Sequence, residues 1–174
     1  MGSSRASHHC VPAPARFVQK KNASSTALTY DLTTVQPGAA LPYNAIQGGY
    51  ESNGVVIYPC VGTYGNTAIP GKTEAGWGYC DVPVGNTEML LRGVPYTVAV
   101  PAFATPDTRI RLEPFVAGND TGGAPLGVCQ APYNGTLQAG KYNLSTHECS
   151  FGMPYAGEVV ATSFTVLGAL IKLP

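Results

Sequence analysis

The sequence predicts an all-β protein built from two copies of one disulfide-stapled unit, and three observations carry that expectation. First, the chain repeats itself at an offset of 69: Cys60 and Cys129, Lys72 and Lys141, Cys80 and Cys149, Gly49 and Gly118, and Tyr64 and Tyr133 are all separated by that number. A shared offset across so many positions is the mark of a duplicated supersecondary unit, which covers its apolar face by packing on a copy of itself. Second, 21 Gly, 15 Pro and 10 Tyr against only 11% charged residues suit short strands joined by tight turns rather than long helices. Third, the cysteines of each copy stand 20 apart, the spacing that two bonds internal to the units would leave.

Taken in order, residues 1–25 are rich in Ser, Ala and Pro without periodicity and read as a loose arm. The segment 26–40 supplies a leading strand, Thr26 to Val35, in which β-formers alternate, ended by the turn Gln36-Pro37-Gly38. The first unit spans 41–105. In it Ala45–Tyr50 and Val55–Tyr58 flank Glu51-Ser52-Asn53-Gly54, a hairpin signal because Asn-Gly tolerates positive φ, so Glu51 is expected at a tip. Ile69-Pro70-Gly71-Lys72 reads as a Pro-Gly turn presenting Lys72, and Glu88–Leu91 and Tyr96–Val100 close the unit. The second unit, 106–174, repeats the order: the tip Asn119-Asp120-Thr121-Gly122, then Cys129, Ala139-Gly140-Lys141, Cys149 and a final strand Phe164–Leu167. Between them Pro101–Asp107, with two prolines, reads as a linker.

With 174 residues and 44% apolar composition the chain can bury one sizeable core, so one body of two lobes is expected. Lys+Arg and Asp+Glu both number 10, and this zero net charge leaves no footprint for nucleic acid; Lys20-Lys21 reads as a solvated doublet. No apolar run approaches the roughly 20 residues that span a bilayer. The first residues lack the apolar core of a signal peptide, which leaves a mature end, a tag-derived end or a cytosolic chain as readings. Disulfides Cys60–Cys80 and Cys129–Cys149, each worth about 3 kcal/mol in the chain-entropy picture, point to a secreted or cell-surface chain. The alternative is four buried free thiols in a reducing compartment. Cys10 is left over, either free or available for an intermolecular bond. Four N-x-S/T sequons, at Asn22, Asn119, Asn134 and Asn143, fit secretion as a glycoprotein.

The ordered series Leu41-Pro42-Tyr43-Asn44-Ala45-Ile46, Gly48-Gly49-Tyr50-Glu51-Ser52-Asn53-Gly54, Tyr58-Pro59-Cys60, Pro70-Gly71-Lys72, Cys80, Pro83 to Glu88 and Tyr96-Thr97-Val98 resembles the tandem repeat of the DM9 (DUF3421) family, which has a mannose-binding member. The second unit follows it more loosely: Ala139-Gly140-Lys141 lacks the proline, Cys129 lacks the preceding tyrosine, and Met153 to Glu158 is one residue shorter. The resemblance covers about 41–174. It implies an all-β, sandwich-like fold with pseudo-twofold symmetry and glycan binding.

It also implies that sugar is held by an acid and a lysine in each repeat, Glu51 with Lys72 and Asp120 with Lys141, each pair separated by 21. The chemistry stands without the analogy, since sugar hydroxyls donate to a carboxylate and accept from an ammonium in short, charge-assisted bonds. The plainer alternative is that these are ordinary tip residues or exposed ion pairs. Glu51 stands where the mannose-binding member has Asp. A glycan on Asn119, beside Asp120, would crowd the second site. Trp77, the one tryptophan, reads as core rather than as a sugar platform, and Tyr64 and Tyr133 are ambiguous.

Enzyme chemistry finds little footing. His8-His9-Cys10 lies in the arm, His147-Glu148 reads as surface, and no phosphate loop, nucleophile elbow or dinucleotide fingerprint occurs. A glycosidase needs two converging carboxylates, and nothing in the order of Glu51, Asp81, Glu88 and Asp120 requires convergence. The expectation is therefore a non-enzymatic lectin-like module without metal or cofactor, with mannose-type glycans as partners and homodimerisation to raise weak affinity. The second reading is a structural subunit of an extracellular assembly.

Overall fold

The computed structural model of the chain describes residues 28–103, 110–154 and 156–172. The arm 1–25, with His8, His9, Cys10, Lys20, Lys21 and Asn22, and most of the expected linker lie outside the described residues. Strands account for the regular structure: β1 Leu28–Val35, β2 Gly49–Tyr50, β3 Val56–Tyr64, β4 Thr67–Glu74, β5 Cys80–Val84, β6 Thr87–Leu91, β7 Tyr96–Phe103, β8 Ile110–Pro114, β9 Val116–Asn119, β10 Pro125–Tyr133, β11 Thr136–Asn143, β12 Glu148–Met153, β13 Gly157–Val160, β14 Thr165–Val166 and β15 Gly168–Lys172. The fold is all-β, as the composition predicts. Thirteen strands share one open antiparallel sheet whose main path runs β13-β12-β11-β2-β3-β4-β5-β6. Strand β7 joins β3 and carries β1, β10 joins β11 and carries β9 and β14, and β15 pairs with β8 apart from the rest.

Both expected disulfides are present, Cys60 to Cys80 and Cys129 to Cys149, each between buried residues. They anchor two apolar clusters. One gathers Val35, Ile69, Val82, Tyr96 and Val98 around the first disulfide, with Leu126 reaching in from the second half; the other gathers Ala131, Tyr142 and Phe151 around the second. A third, of Val61, Ala117, Val128 and Leu167, mixes the two halves.

The halves interlock through their backbones. The main path crosses from one to the other where β2 pairs with β11, with Tyr50 opposite Leu137. Gly49 lies against the carbonyl of Leu137, and Gly118, 69 residues on, lies against the carbonyl of Ala68, so a Cβ at either glycine would overlap that backbone. Only glycine permits so close an approach.

Two local expectations are corrected. The stretch Pro70-Gly71-Lys72 is no turn but the middle of β4, paired with Pro59, Cys60 and Val61 of β3. The reversal occurs earlier, at Gly65-Asn66, where Gly65 adopts a φ of 61°. Ala139-Gly140-Lys141 is likewise mid-strand, in β11. Gly71 is there because its α-carbon lies against the carbonyl of Asp81. The missing donor of Pro70 is tolerated because β4 pairs with β5 at one position, Lys72 opposite Asp81. The Glu51–Gly54 hairpin tip is as expected: Gly54 N–H donates to Glu51 O at 2.9 Å, and Asn53 Oδ1 accepts from Val55 N–H at 3.0 Å.

Candidate functional site

Because Lys72 sits mid-strand, its side chain is inside the molecule, with only 2% of the residue exposed. Alternation along β4 puts Lys72 and Glu74 on one face, and the register adds Asp81 from β5 beside Lys72. A buried ammonium is costly unless hydrogen-bonded. Here Nζ donates to Oε1 of Gln138 at 3.0 Å and to the Gly152 carbonyl at 2.9 Å, both on the second half of the chain. Two carboxylates neutralise it, Glu88 at 3.5 Å and Glu51 at 4.0 Å. Gln138, itself fully buried, turns its amide to Oε2 of Glu51 at 3.1 Å and to the Thr136 hydroxyl at 3.0 Å. Glu51 and Lys72 are thus brought to one site and linked through Gln138. Glu51 is the accessible member, its side chain 26% exposed against 3% for Lys72.

Beneath this group lies a carboxyl pair. Asp81 is 2% exposed and lies close to Glu88. Burial is the chief reason its pKa is pushed up to about 9, with the Glu88 carboxyl adding and the Lys72 charge opposing. Asp81 Oδ1 and Glu88 Oε1 are buried without a hydrogen-bond donor, the Lys72 ammonium standing 3.5 Å from the latter. Asp81 therefore keeps its proton to higher pH than an exposed carboxyl does, which relieves the repulsion between the two groups. Glu74, at the rim, is also raised, first by burial and then by the Glu51 charge, against the Lys72 charge.

Lys141 follows the first lysine in one respect: it donates to the Pro83 carbonyl at 3.1 Å, and Pro83 precedes Gly152 by 69 residues. Each lysine therefore bonds a main-chain oxygen of the other half. In other respects the second group differs. Lys141 is paired with Glu158, at 3.0 and 3.2 Å to its two oxygens, while Asp120 Oδ1 accepts from the Gly122 and Ala124 N–H groups of its own turn at 2.9 and 2.8 Å. Asp120 and Lys141 do not form a pair. At the position corresponding to Gln138 the first half carries Ile69, so no amide bridges the second acid to its lysine.

Gln138 was not singled out by sequence reasoning, nor was the partnership of Asp81 with Glu88. The one available signal is a polar residue at an inward position of a strand whose neighbours Ala139 and Gly140 are also buried. Trp77 departs from the expected core position. It is half-buried in the loop between β4 and β5 and stacks on Tyr79, centroids 5.0 Å apart and planes 14° from parallel. Tyr133 packs edge-on against Phe151, and Tyr64 is exposed at the end of β3. His147 is exposed and bonds the Tyr142 hydroxyl at 2.8 Å. Of the sequon residues, Asn119 and Asn134 are exposed, and Asn143 is partly buried with its Oδ1 accepting from Ser145 and Thr146 N–H groups.

Among the described residues no helix is long and apolar enough to cross a membrane. No protein-family model matches the chain, and no curated protein matches it.

Proposed function

We propose that the chain is a carbohydrate-binding, lectin-like module that takes mannose-type glycans at Glu51 and Lys72, and that its two halves are DM9-type repeats related by a pseudo-twofold axis. The observation that carries the reading is that Lys72 Nζ and Glu51 Oε1 stand 4.0 Å apart, with the Glu51 side chain 26% exposed. Lys72 Nζ has three protons and spends two, on Gln138 and Gly152. Its third faces two carboxylates, Glu88 Oε1 at 3.5 Å and Glu51 Oε1 at 4.0 Å, both longer than an ordinary hydrogen bond. A sugar hydroxyl arriving at the exposed side of Glu51 can donate to its carboxylate, which Gln138 holds in place and the Lys72 charge backs. The contacts that recur 69 residues apart, Gly49 with Gly118 and the two lysine-to-carbonyl bonds, support the repeat relation.

The second site, Asp120 and Lys141, is the weaker of the two in this proposal, because Asp120 is spent on its own turn and Lys141 on Glu158. A non-enzymatic role belongs to the same proposal. Two disulfides and exposed sequon residues Asn119 and Asn134 are in keeping with a secreted or cell-surface glycoprotein. Self-association into a homodimer belongs to the same proposal, as a route to avidity.

A second reading, that of a structural subunit in an extracellular assembly, has one observation in its favour. Lys72 and Asp81 are almost wholly buried, as residues that tie two halves together would be. Calorimetric titration of the intact protein with mannose, beside Glu51→Ala and Lys141→Ala, separates the readings. Binding abolished by Glu51→Ala and retained by Lys141→Ala is the expected outcome. No heat with any of several neutral monosaccharides overturns the lectin reading in favour of the structural one.

A further inference from the structure

One group of side chains lies beside the site without belonging to it. Along the face that carries Lys72, Glu74 stands two residues further on, roughly 7 Å along the strand. The chain then turns through Gly76 and Gly78, with φ of 88° and 68°, and these glycines place Trp77 at the rim. Trp77 N–H donates to the Glu74 carbonyl at 3.2 Å, and its indole stands beside the Glu74 carboxylate. Its ring is backed by Tyr79, and Tyr79 in turn is backed by the Arg92 guanidinium, 4.1 Å from the ring centroid. Tyr79 thus stacks with Trp77 and carries the Arg92 guanidinium, while Glu74 shares the strand face of Lys72.

None of the three belongs to an apolar core cluster, Arg92 is exposed, and Trp77 and Tyr79 are half-buried. Burying part of a Trp at a wet rim, propped from behind, suits a platform for a ring that arrives from solvent. Pyranose rings present a face of C–H groups to such a surface and hydroxyls at their edge, and a carboxylate beside the indole meets those hydroxyls. The stack is preorganised, so little side-chain freedom is lost on contact.

We propose that Trp77, with Glu74 beside it, is a second subsite that takes the next pyranose ring of a neutral oligosaccharide whose terminal ring lies between Glu51 and Lys72. This rests on the carbohydrate-binding reading above. Trp77 is the one tryptophan in the chain, so its fluorescence reports on this subsite alone.

The test uses the full chain, titrated with mannose and with α-linked mannobiose, following heat and tryptophan emission together, and repeats both titrations with Trp77→Ala and Trp77→Phe. The disaccharide is expected to bind about tenfold tighter than mannose and to change the emission, which mannose leaves nearly unaltered. Trp77→Ala brings the disaccharide down to the affinity of mannose without changing mannose itself, and Trp77→Phe restores part of the difference. Unchanged mannose affinity also shows that the variant is folded. Mannose binding with no gain from the second ring, or disaccharide binding without an emission change, overturns the subsite and leaves the first site standing. Binding of neither sugar overturns both.

Discussion

The Lys72 ammonium lies 3.0 Å from the side-chain oxygen of Gln138, a residue 66 positions further along the chain and fully buried. This bond makes the site a joint product of both halves, since the acid and lysine come from one and the amide that orients them from the other.

Gln138→Ile, which copies the Ile69 found at the corresponding place in the first half, removes an acceptor from Lys72 and a donor from Glu51 while leaving the ammonium buried. Stranding a buried polar partner costs about 1–3 kcal/mol. Urea unfolding should show a lower midpoint with little change in slope, and sugar heat should fall with it.

Gly49→Ala and Gly118→Ala place a methyl against main-chain oxygens of Leu137 and Ala68, which cannot step aside as a flexible side chain would. Both should destabilise well beyond the ~1 kcal/mol typical of point substitutions. Gly54→Ala meets open space and suffers only from its φ of 84°, so it should cost less. Thermal unfolding of the three variants ranks them.

The Asp81 pKa ties stability to pH. Burial raises it from 3.8 to about 9 in the folded chain. Below 3.8 both folded and unfolded chains hold the proton and the contribution of Asp81 is complete. As pH rises the unfolded chain releases its proton first, so this contribution shrinks continuously toward pH 9. Asp81→Asn keeps a donor for Glu88 and has no proton to lose. It should flatten the fall in melting temperature between pH 5 and pH 9, and exceed the parent at pH 8 by at least the 2–4 °C that about 1 kcal/mol produces in a chain of this size.

Glu51 and Glu74, toward the surface, and Glu88, beneath, surround the single Lys72 cation. An anionic sugar would meet excess negative charge, so sialylated or sulfated analogues should bind more weakly than their neutral parents. The gap should narrow as salt is raised, which competitive titrations at two ionic strengths would measure.

Reduction of the disulfides, each closing a loop of 20 residues, should lower stability by about 3 kcal/mol per bond. Denaturant melts with and without reductant provide the comparison.

The strands, the Asn53-Gly54 hairpin and both disulfides were legible in the sequence because each follows from local rules or from equal spacing in the two halves. Local rules also misplaced Pro70-Gly71. Proline and glycine in succession read as a turn, yet here both answer to neighbours distant in sequence, Gly71 to the Asp81 carbonyl and Pro70 to a short ladder. The acid and lysine of the first half were legible through the repeat, but what surrounds them was not. Gln138 has no counterpart at the offset to draw attention to it, and the approach of Glu88 to Asp81 is set by the register of β5 with β6. Trp77 was read as core from residue type alone, whereas the glycines on either side of it, both at positive φ, turn it out to the rim.

The interlocking of the halves makes the continuity of the chain between them dispensable once folding is complete. Each half carries its own disulfide, and no described cysteine joins one half to the other. The β2–β11 ladder, the exchanged lysine bonds and the shared apolar cluster cross the boundary without a covalent link. A single proteolytic cut between Phe103 and Ile110 should therefore leave two fragments that travel as one particle through a sizing column and part in denaturant, behaving as a heterodimer made from a single gene product.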